Sequence, residues 1–414
     1  MSDHILVLNA GSSSLKFALY PVDGDWKALY RLRGELEGIG HAPRLHARTP
    51  QGPLAQEETL FCPDPRSFGP REAVAFLLEW LGQQLGPHRL VGAGHRVVHG
   101  GRRFSAPVLI TPEVMDELQQ LVPLARLHEP WELEAIRTLS QARPDLPQVA
   151  CFDTAFHATQ PEVARRFALP RRFHDEGVKR YGFHGLSYEY ATHALPELVG
   201  ERALGRVVVA HLGNGASLCA LRELKSIATT MGFTALDGLV MGTRPGALDP
   251  GVLLYLIQER HMTVEQVSDL LYFRSGLLGV SGISHDMRAL LASPDVRAQE
   301  AVELFVYRVV REVGSLAAAL GGLDVLAFSG GIGERSPEIR ERICAQLAWL
   351  GIKLDPDANR AGGPLVSTAA SPVPVCVVHC NEELVIARHA CRLLQQQGRI
   401  VRRRSASSAP APLR

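Results

Sequence analysis

No apolar run in this chain reaches the length needed to cross a bilayer, and no leader is expected ahead of the first strand-like segment. Within a few residues of the start the sequence already reads ILVLN, with no basic stretch, apolar stretch or cleavage site ahead of it. The expectation is a soluble, cytoplasmic protein with no membrane partner. Net charge is nearly absent too. With 44 basic residues against 43 acidic ones the formal charge is +1, which removes the electrostatic ground for expecting a nucleic-acid partner and confines any anion site to a local cluster. Cysteine is scarce and odd in number. Seven of them, scattered from Cys62 to Cys391, make a poor disulfide framework and read as buried thiols in a reducing compartment. Cys376, His379 and Cys380 come nearest to a metal-binding set. The surrounding VPVCVVH reads as a strand, however, on which alternating side chains diverge, so no metal is expected there.

What the chain does have is material for two cores. Its 414 residues exceed what one compact core accommodates, and 46% of them are hydrophobic, so two domains are expected. An internal echo points the same way: residues 5–20 read ILVLNAGSSSLKFALY and residues 207–221 read VVVAHLGNGASLCAL, with Ser14-Leu15 and Ser217-Leu218 at matching points. In each copy a β-branched apolar run, a buried strand by composition, leads into a Gly, Ser and Asn turn where backbone N–H groups can approach an anion unobstructed by Cβ. A duplicated domain with two such turns could grip the two ends of a polyphosphate.

Strand-like runs alternate with helical patterns almost throughout, which indicates an α/β architecture. Over residues 302–320 apolar side chains recur on one helix face, and Gly321-Gly322 stops the pattern. The buried-strand run DVLAFS follows at 324–329, then a Gly330, Gly331, Ile332, Gly333 turn, then Ser336-Pro337-Glu338 opening a further helix with an N-cap and a proline in its first turn. Residues 34–71, rich in Gly, Pro and polar side chains, read as loops or an irregular excursion of the first domain, and the basic then Ser, Ala and Pro-rich stretch at 398–414 reads as a disordered tail.

Chemistry concentrates at a few of these junctions. The GIGE turn at 331–334 lies between a strand and a helix, where free N–H groups and the helix dipole favour an anion, although a plain tight turn would look the same. Arg96 in GAGHRVVHGG, His184 in RYGFHG, His211 in AHLGNG and Arg244 in MGTRPG all sit beside glycine, so a ligand can come close to a cation or an imidazole. Any one could be structural; four together suggest a site. Asn9, Asp153 and Glu382 are oxygen donors of the kind magnesium accepts, and equally a strand-end former and a helix first-turn acid in the last two cases.

Taken in order, these motifs resemble those of the acetokinase family, within the superfamily of actin-like proteins, sugar kinases and chaperone ATPases. The likeness runs from about residue 5 to 390 and rests on NAGSSSLKF, GHRVVHGG, DTAFH, RYGFHG, HLGNGASL, TTMGFT with MGTRPG, SGLLGVSG, GGIGE and NEELVIAR. It implies two duplicated actin-like ATPase (ribonuclease H-like) α/β domains flanking a nucleotide cleft. Residues 1–153 with 384–397 would form one, rejoined by the C-terminal helix, and 154–383 the other, with the nucleotide site and a dimer interface. It implies ATP or ADP, acetate and acetyl phosphate as substrates, magnesium (or manganese) as cofactor, and a homodimer that closes on nucleotide. By motif, Asn9 and Glu382 would lie at the metal and Lys16 near the nucleotide phosphates. The nucleotide surface would comprise His211, Leu212, Gly213, Asn214, Gly215, Asp286, Met287, Arg288, Gly331, Ile332, Gly333, Glu334 and Arg335. Arg96 would bind the acceptor, Asp153 would be the acid/base residue, and His184 and Arg244 would stabilise the transition state; His128 matches a family histidine.

An acetate nucleophile, with a pKa of roughly 4.3 like a Glu side chain, is already ionised at neutral pH and needs no general base. Asp153 is therefore expected to hold metal-bound water or to orient Arg and His partners. Glu129, Pro245, Ala247, Arg335 and Cys380 depart from the family's commonest residues; Arg335, a cation beside the nucleotide loop, could alter ADP affinity, but the favoured reading is a solvent-facing change at a helix start. Preference for propionate or another short acid would turn on pocket side chains such as Val98, Leu127 and Pro245, since one methylene is worth only about 1–3 kcal/mol. A turnover-deficient regulatory protein of the same superfamily is the alternative from another class. Its binding role would not require Arg96, Asp153, His184 and Arg244.

Overall fold

The computed structural model describes residues 2–11, 13–23, 30–53, 58–59, 67–126 and 128–400; Cys62, Leu127 and the tail at 401–414 lie outside them. In chain order the elements begin β1 (Asp3–Ala10), β2 (Ser14–Pro21), β3 (Leu32–Glu37), β4 (Arg44–Thr49), β5 (Gly52–Pro53), β6 (Glu58–Thr59), α1 (Pro70–Leu85), β7 (Arg89–Val97), β8 (Val108–Leu109), α2 (Pro112–Leu121), α3 (Glu129–Ala142) and β9 (Gln148–Phe152). Then follow α4 (Glu162–Arg165), α5 (Arg171–Asp175), α6 (Gly185–Val199), β10 (Val207–Leu212), β11 (Ala216–Arg222), β12 (Lys225–Thr229), α7 (Pro250–Gln258), α8 (Val264–Phe273), α9 (Gly276–Ser281), α10 (Met287–Leu291) and α11 (Val296–Leu320). The chain ends with β13 (Val325–Ser329), α12 (Gly330–Arg335), α13 (Pro337–Gln346), α14 (Pro356–Ala361), β14 (Val375–Val377) and α15 (Glu382–Gln396). These make two compact units, one of Met1–Ala155 with Asn381–Arg414 and one of Phe156–Cys380.

The sheet of the first unit runs β5-β4-β3-β2-β1-β7-β9-β8, and that of the second β12-β11-β10-β13-β14. A shared pattern lies inside both. A strand pairs antiparallel with its hairpin partner on one side and parallel with a crossover strand on the other, as β1 does with β2 and β7, and β10 with β11 and β13. Three antiparallel and two further parallel strands thus occur twice. The hairpins differ by one residue: the last pairs are Ala10↔Leu15 and Leu212↔Ala216. Lys16, opposite Asn9, is therefore the ladder counterpart of Ser217, opposite His211, and the expected match of Ser14-Leu15 with Ser217-Leu218 does not hold.

In the first unit Leu6, Leu8, Phe17 and Leu19 face a core with Leu77 and Leu81 of α1 and Leu139 of α3. The opposite face takes α15 against β1, β7 and β9. That approach depends on missing side chains. A Cβ at Gly92 would meet Leu394 at 2.4 Å and one at Gly94 would meet Ile386 at 2.6 Å, so the alternation Gly92, Gly94, Arg96 lays a helix over the first two positions and leaves the third beyond its N-terminus. Asn381 caps α15, its Oδ1 accepting from the Leu384 N–H at 3.1 Å and from the Tyr20 hydroxyl at 3.1 Å. In the second unit α6 packs Tyr188, Ala191 and Leu195 onto Val207, Val209, Val325 and Ala327.

Two local expectations are corrected. Residues 34–71 are not simply loop, since β3 and β4 extend the first sheet; each exposes one face and buries only Leu32, Leu36 and Leu45, which hides the alternation. A close approach secures them: a Cβ on Gly34 would stand 2.6 Å from the Phe17 ring and 2.3 Å from the His46 carbonyl oxygen. The helix at 302–320 begins earlier, at Val296, where Asp295 caps it, and ends as expected at Gly321, with φ 74°.

Candidate active site

In open α/β sheets, ligands gather at the carboxyl ends of parallel strands. In the first unit those ends belong to β1, β7 and β9, and they carry Asn9, Arg96 and Asp153. The Arg96 guanidinium holds Asp153 bidentately, Nε to Oδ1 at 3.1 Å and Nη2 to Oδ2 at 2.5 Å, and reaches Asn9 Oδ1 from Nη1 at 3.5 Å. Glu382, in the first turn of α15, lies 3.9 Å away. Asp153 is fully buried, while the Arg96 side chain keeps 15% of its surface exposed. Burial pulls the Arg96 pKa down, but the Asp153 and Glu382 carboxylates outweigh it and raise the pKa above the ordinary value, so the charge is permanent. Lys16 is exposed on β2, opposite Asn9 in the ladder.

Beneath this cluster are two carboxyl groups that the motifs did not single out for the site. Glu132 Oε2 accepts the Val98 N–H at 2.9 Å, and burial, only partly offset by Arg96, pushes its pKa up to about 8. Glu129, also fully buried, is raised well above its ordinary value by burial and by Glu132. A signal was available: both fall on the face of α3 that buries Leu133, Ile136 and Leu139, where an acid is out of place. The neighbouring His128 precedes α3 at its N-cap.

The second unit repeats the arrangement with different chemistry. His211 at the end of β10 pairs in register with Ser329 at the end of β13, its Nδ1 lying 3.2 Å from Ser329 Oγ. The segments that follow adjoin, for a Cβ on Gly330 would meet the Leu212 carbonyl oxygen at 2.7 Å. Gly330, with φ 75°, opens α12 directly from the strand, so the expected free turn is a short helix. Its N–H is not free either: Glu334 Oε1 accepts it at 3.0 Å and also accepts the Cys380 N–H at 3.2 Å, while Oε2 lies 3.2 Å from His379 Nδ1. Glu334 is thus committed to tying α12 to the strand end after β14. Gly331 faces open space, Ile332 is half-buried, Gly333 is buried and Arg335 is exposed.

His184 and Arg244 meet above Gly215. A Cβ there would stand 2.7 Å from Arg244 Nη2 and 3.3 Å from His184 Nε2, so glycine at 215 is what permits the approach. His184 adopts φ 58°, rare for a side-chain-bearing residue, and its ring lies 4.6 Å from that of His211. Arg244 is buried and donates from Nη1 to the Ala235 carbonyl at 2.7 Å. Its loop is bound into place, with the Gly242 N–H on Asn214 O and the Leu277 and Leu278 N–H groups on Met241 O and Gly242 O, all at 2.9 Å. His285 adjoins Gly242, and next to it Asp286 caps α10 and pairs with Arg288 at 2.7 Å, while Met287 is buried. Pro245 lines a cavity of about 260 Å³ with Phe167, Phe233, Leu236, Leu248 and Leu271, and Val98 is buried in the first unit.

Among the described residues no group of three or more His, Cys, Asp or Glu side chains is arranged to hold a metal unaided. Asn9, Asp153 and Glu382 offer oxygen only, which fits a hard cation that keeps waters and shares substrate phosphate oxygens. The six described cysteines form no disulfide with one another, and Cys376 is buried on β14.

Residues 4–388 match the acetokinase family. An acetate kinase of Rhodopseudomonas palustris is 54% identical over 95% of this chain and 99% of its own length. Among solved structures, a propionate kinase from Francisella tularensis superposes with a TM-score of 0.85 at 36% identity, covering 95% of this chain and 100% of that one. Acetate kinase from Porphyromonas gingivalis gives 0.81 at 36% identity over 95% and 100%. The repeated five-stranded pattern is the duplicated actin-like ATPase fold, and the chain belongs to the acetokinase family.

Proposed function

We propose that this protein transfers the terminal phosphoryl group of ATP reversibly to acetate, giving ADP and acetyl phosphate. The observation that carries the reading is the Arg96 guanidinium, oriented by a bidentate buried Asp153 at the carboxyl ends of β1, β7 and β9. A fixed planar cation with part of its surface exposed suits a small carboxylate acceptor. In the second unit, Arg244 and His184 converge over Gly215 and would neutralise the equatorial oxygens of the phosphoryl group in flight, which is where catalysis of such transfers mainly lies. Residues 211–215, 286–288 and 331–335 would receive the nucleotide, with Lys16 toward its phosphates; Glu334 would act there through the backbone it ties. A carboxylate acceptor leaves Asp153 no proton to remove. Its bond to Arg96 supports a role in orienting that side chain.

Asn9 and Glu382, with Asp153, would hold magnesium or manganese through oxygen and water; when bound, the ion would supply charge to offset that of the nucleotide phosphates. We further propose a cytoplasmic homodimer. No described helix is long and apolar enough to cross a membrane. Helix α7 buries none of its residues although it exposes Leu254 and Tyr255, each by more than half, as a face that meets a second copy would. With a formal net charge of +1, the chain is proposed to have no nucleic-acid partner.

The test is acyl phosphate formation, trapped as hydroxamate, from acetate, propionate and butyrate in turn with ATP and magnesium. Acetate should give the highest kcat/KM. Propionate winning, the second reading and the one the Francisella likeness favours, would keep the machinery and change the acceptor. ATP binding with no product from any acid would leave a regulatory nucleotide-binding protein.

A further inference from the structure

The imidazole of His184 does not stand alone. Its Nδ1 lies 2.8 Å from Ser217 Oγ, and Ser217 Oγ lies 2.5 Å from the Tyr188 hydroxyl, in a line of three groups that share two hydrogen bonds. Tyr188 and Ser217 are fully buried. Among the described residues Ser217 is the one hydrogen-bond partner of the Tyr188 hydroxyl. That fixes the direction of the line. If Nδ1 carried the proton and donated to Ser217, three hydrogens would share two bonds, and either the Tyr188 or the Ser217 hydroxyl hydrogen would be buried with no acceptor in the line, the arrangement that buried polar groups avoid. In the other direction Tyr188 donates to Ser217, Ser217 donates to Nδ1, and every hydrogen is used.

We propose that Tyr188 and Ser217 are positioning residues that set the tautomer of His184, holding it as a neutral imidazole with its hydrogen on Nε2, the ring edge that faces Gly215 and the Arg244 guanidinium. This rests on the phosphoryl-transfer reading for its purpose. A neutral Nε2–H donor can serve an anionic oxygen without placing a second cation against Arg244 or against the His211 ring 4.6 Å away. The groups packed around the line do not compete for the proton. Burial raises the phenol of Tyr188 well above its ordinary value, and burial pushes the Cys219 thiol up to about 12, so both stay protonated at neutral pH.

The backbone of His184 is held with equal care. His157 Nε2 donates to the carbonyl of Phe183 at 2.9 Å, its Nδ1 lies 2.9 Å from Ser226 Oγ, and burial lowers its pKa to about 4, so it too is a neutral ring. A Cβ on Gly182 would meet the His157 ring at 2.6 Å. His184 is thereby kept at φ 58°, the conformation that turns Nδ1 toward Ser217.

The experiment is nitrogen NMR on the full-length protein labelled with ¹⁵N-histidine, at pH 7 and without substrate, with His184→Gln assigning the resonances. His184 should show a bare Nδ1 and a protonated Nε2. A protonated Nδ1 in the wild type, or an imidazolium, overturns the proposal whatever the variants do. Ser217→Ala should replace the single tautomer by a mixture. It should also lower kcat at least about tenfold while KM for acetate and ATP stays within about threefold, and Ser217→Thr should restore most of the loss. Ser217→Ala with an unchanged tautomer and wild-type kcat would also overturn it. Since the spectrum needs no turnover, a wild type that makes no acyl phosphate would sink the functional reading and leave the tautomer to be judged separately.

Discussion

Arg96 is one cation set among Asp153, Glu382 and, below them, Glu132 and Glu129, so protonation of the lower pair decides whether the charge there balances. Glu132 has a folded pKa of about 8 against an ordinary 4.5. Below the lower value both folded and unfolded chains hold the proton; between the two only the unfolded chain releases it, so stability declines as pH rises through that window, by at most ~1.4 kcal/mol per pH unit, and the decline ends above the folded pKa. Glu132→Gln should flatten this slope in urea titrations run at pH 5 and pH 8. Parallel curves for variant and wild type would show that the residue does not titrate as described. Arg244→Ala should lower kcat by about a hundred- to a thousandfold, the usual cost of one well-aimed donor, equivalent to roughly 2.7–4 kcal/mol. Near-normal turnover would take Arg244 out of the site.

Helix α15 is the element on which the acceptor cluster depends, because it covers β7 through two glycines and ends with Glu382 near Arg96. Gly94→Val should drive side-chain atoms into Ile386 and Ala390, costing about 1–3 kcal/mol and several degrees of Tm, and should raise KM for acetate more than KM for ATP. A variant with unaltered Tm and KM would mean that the helix moves aside freely. Elements of this kind were legible from residues alone wherever the pattern was local: the buried runs of β1, β10 and β13, the Ser336 cap of α13, and the Gly321 stop of α11. The half-exposed β3 and β4 were not, because their burial is decided by neighbours far along the chain. In the site, Arg96, His184, His211 and Arg244 announced themselves by their glycines. Ser217, Tyr188 and Glu132 did not, since a serine in a strand, a tyrosine on an apolar helix face and a glutamate in a helix are ordinary until their partners are known.

At the scale of the whole molecule, α7 exposes the apolar side chains Val252, Leu254, Tyr255 and Ile257. Light scattering should find a dimer, and Leu254→Glu should yield a monomer of unchanged helical content. A wild type that is monomeric at micromolar concentration would remove the dimer from the proposal. Chelation by EDTA should abolish acyl phosphate formation, and added magnesium should restore it. Full activity after exhaustive chelation would rule out the metal. The placement of α15 has one more consequence, and it concerns synthesis. The ribosome delivers the chain from its N-terminus, so β1, β7 and β9 emerge first and must wait for the whole second unit to be translated before the helix that seals their exposed face appears. The later-made half can be complete while the earlier one still shows the bare backbone of Gly92 and Gly94. A ribosome-stalled chain ending before Asn381 should therefore resist protease across residues 156–380 and be cut within its first 155, and should recruit holdase chaperones there.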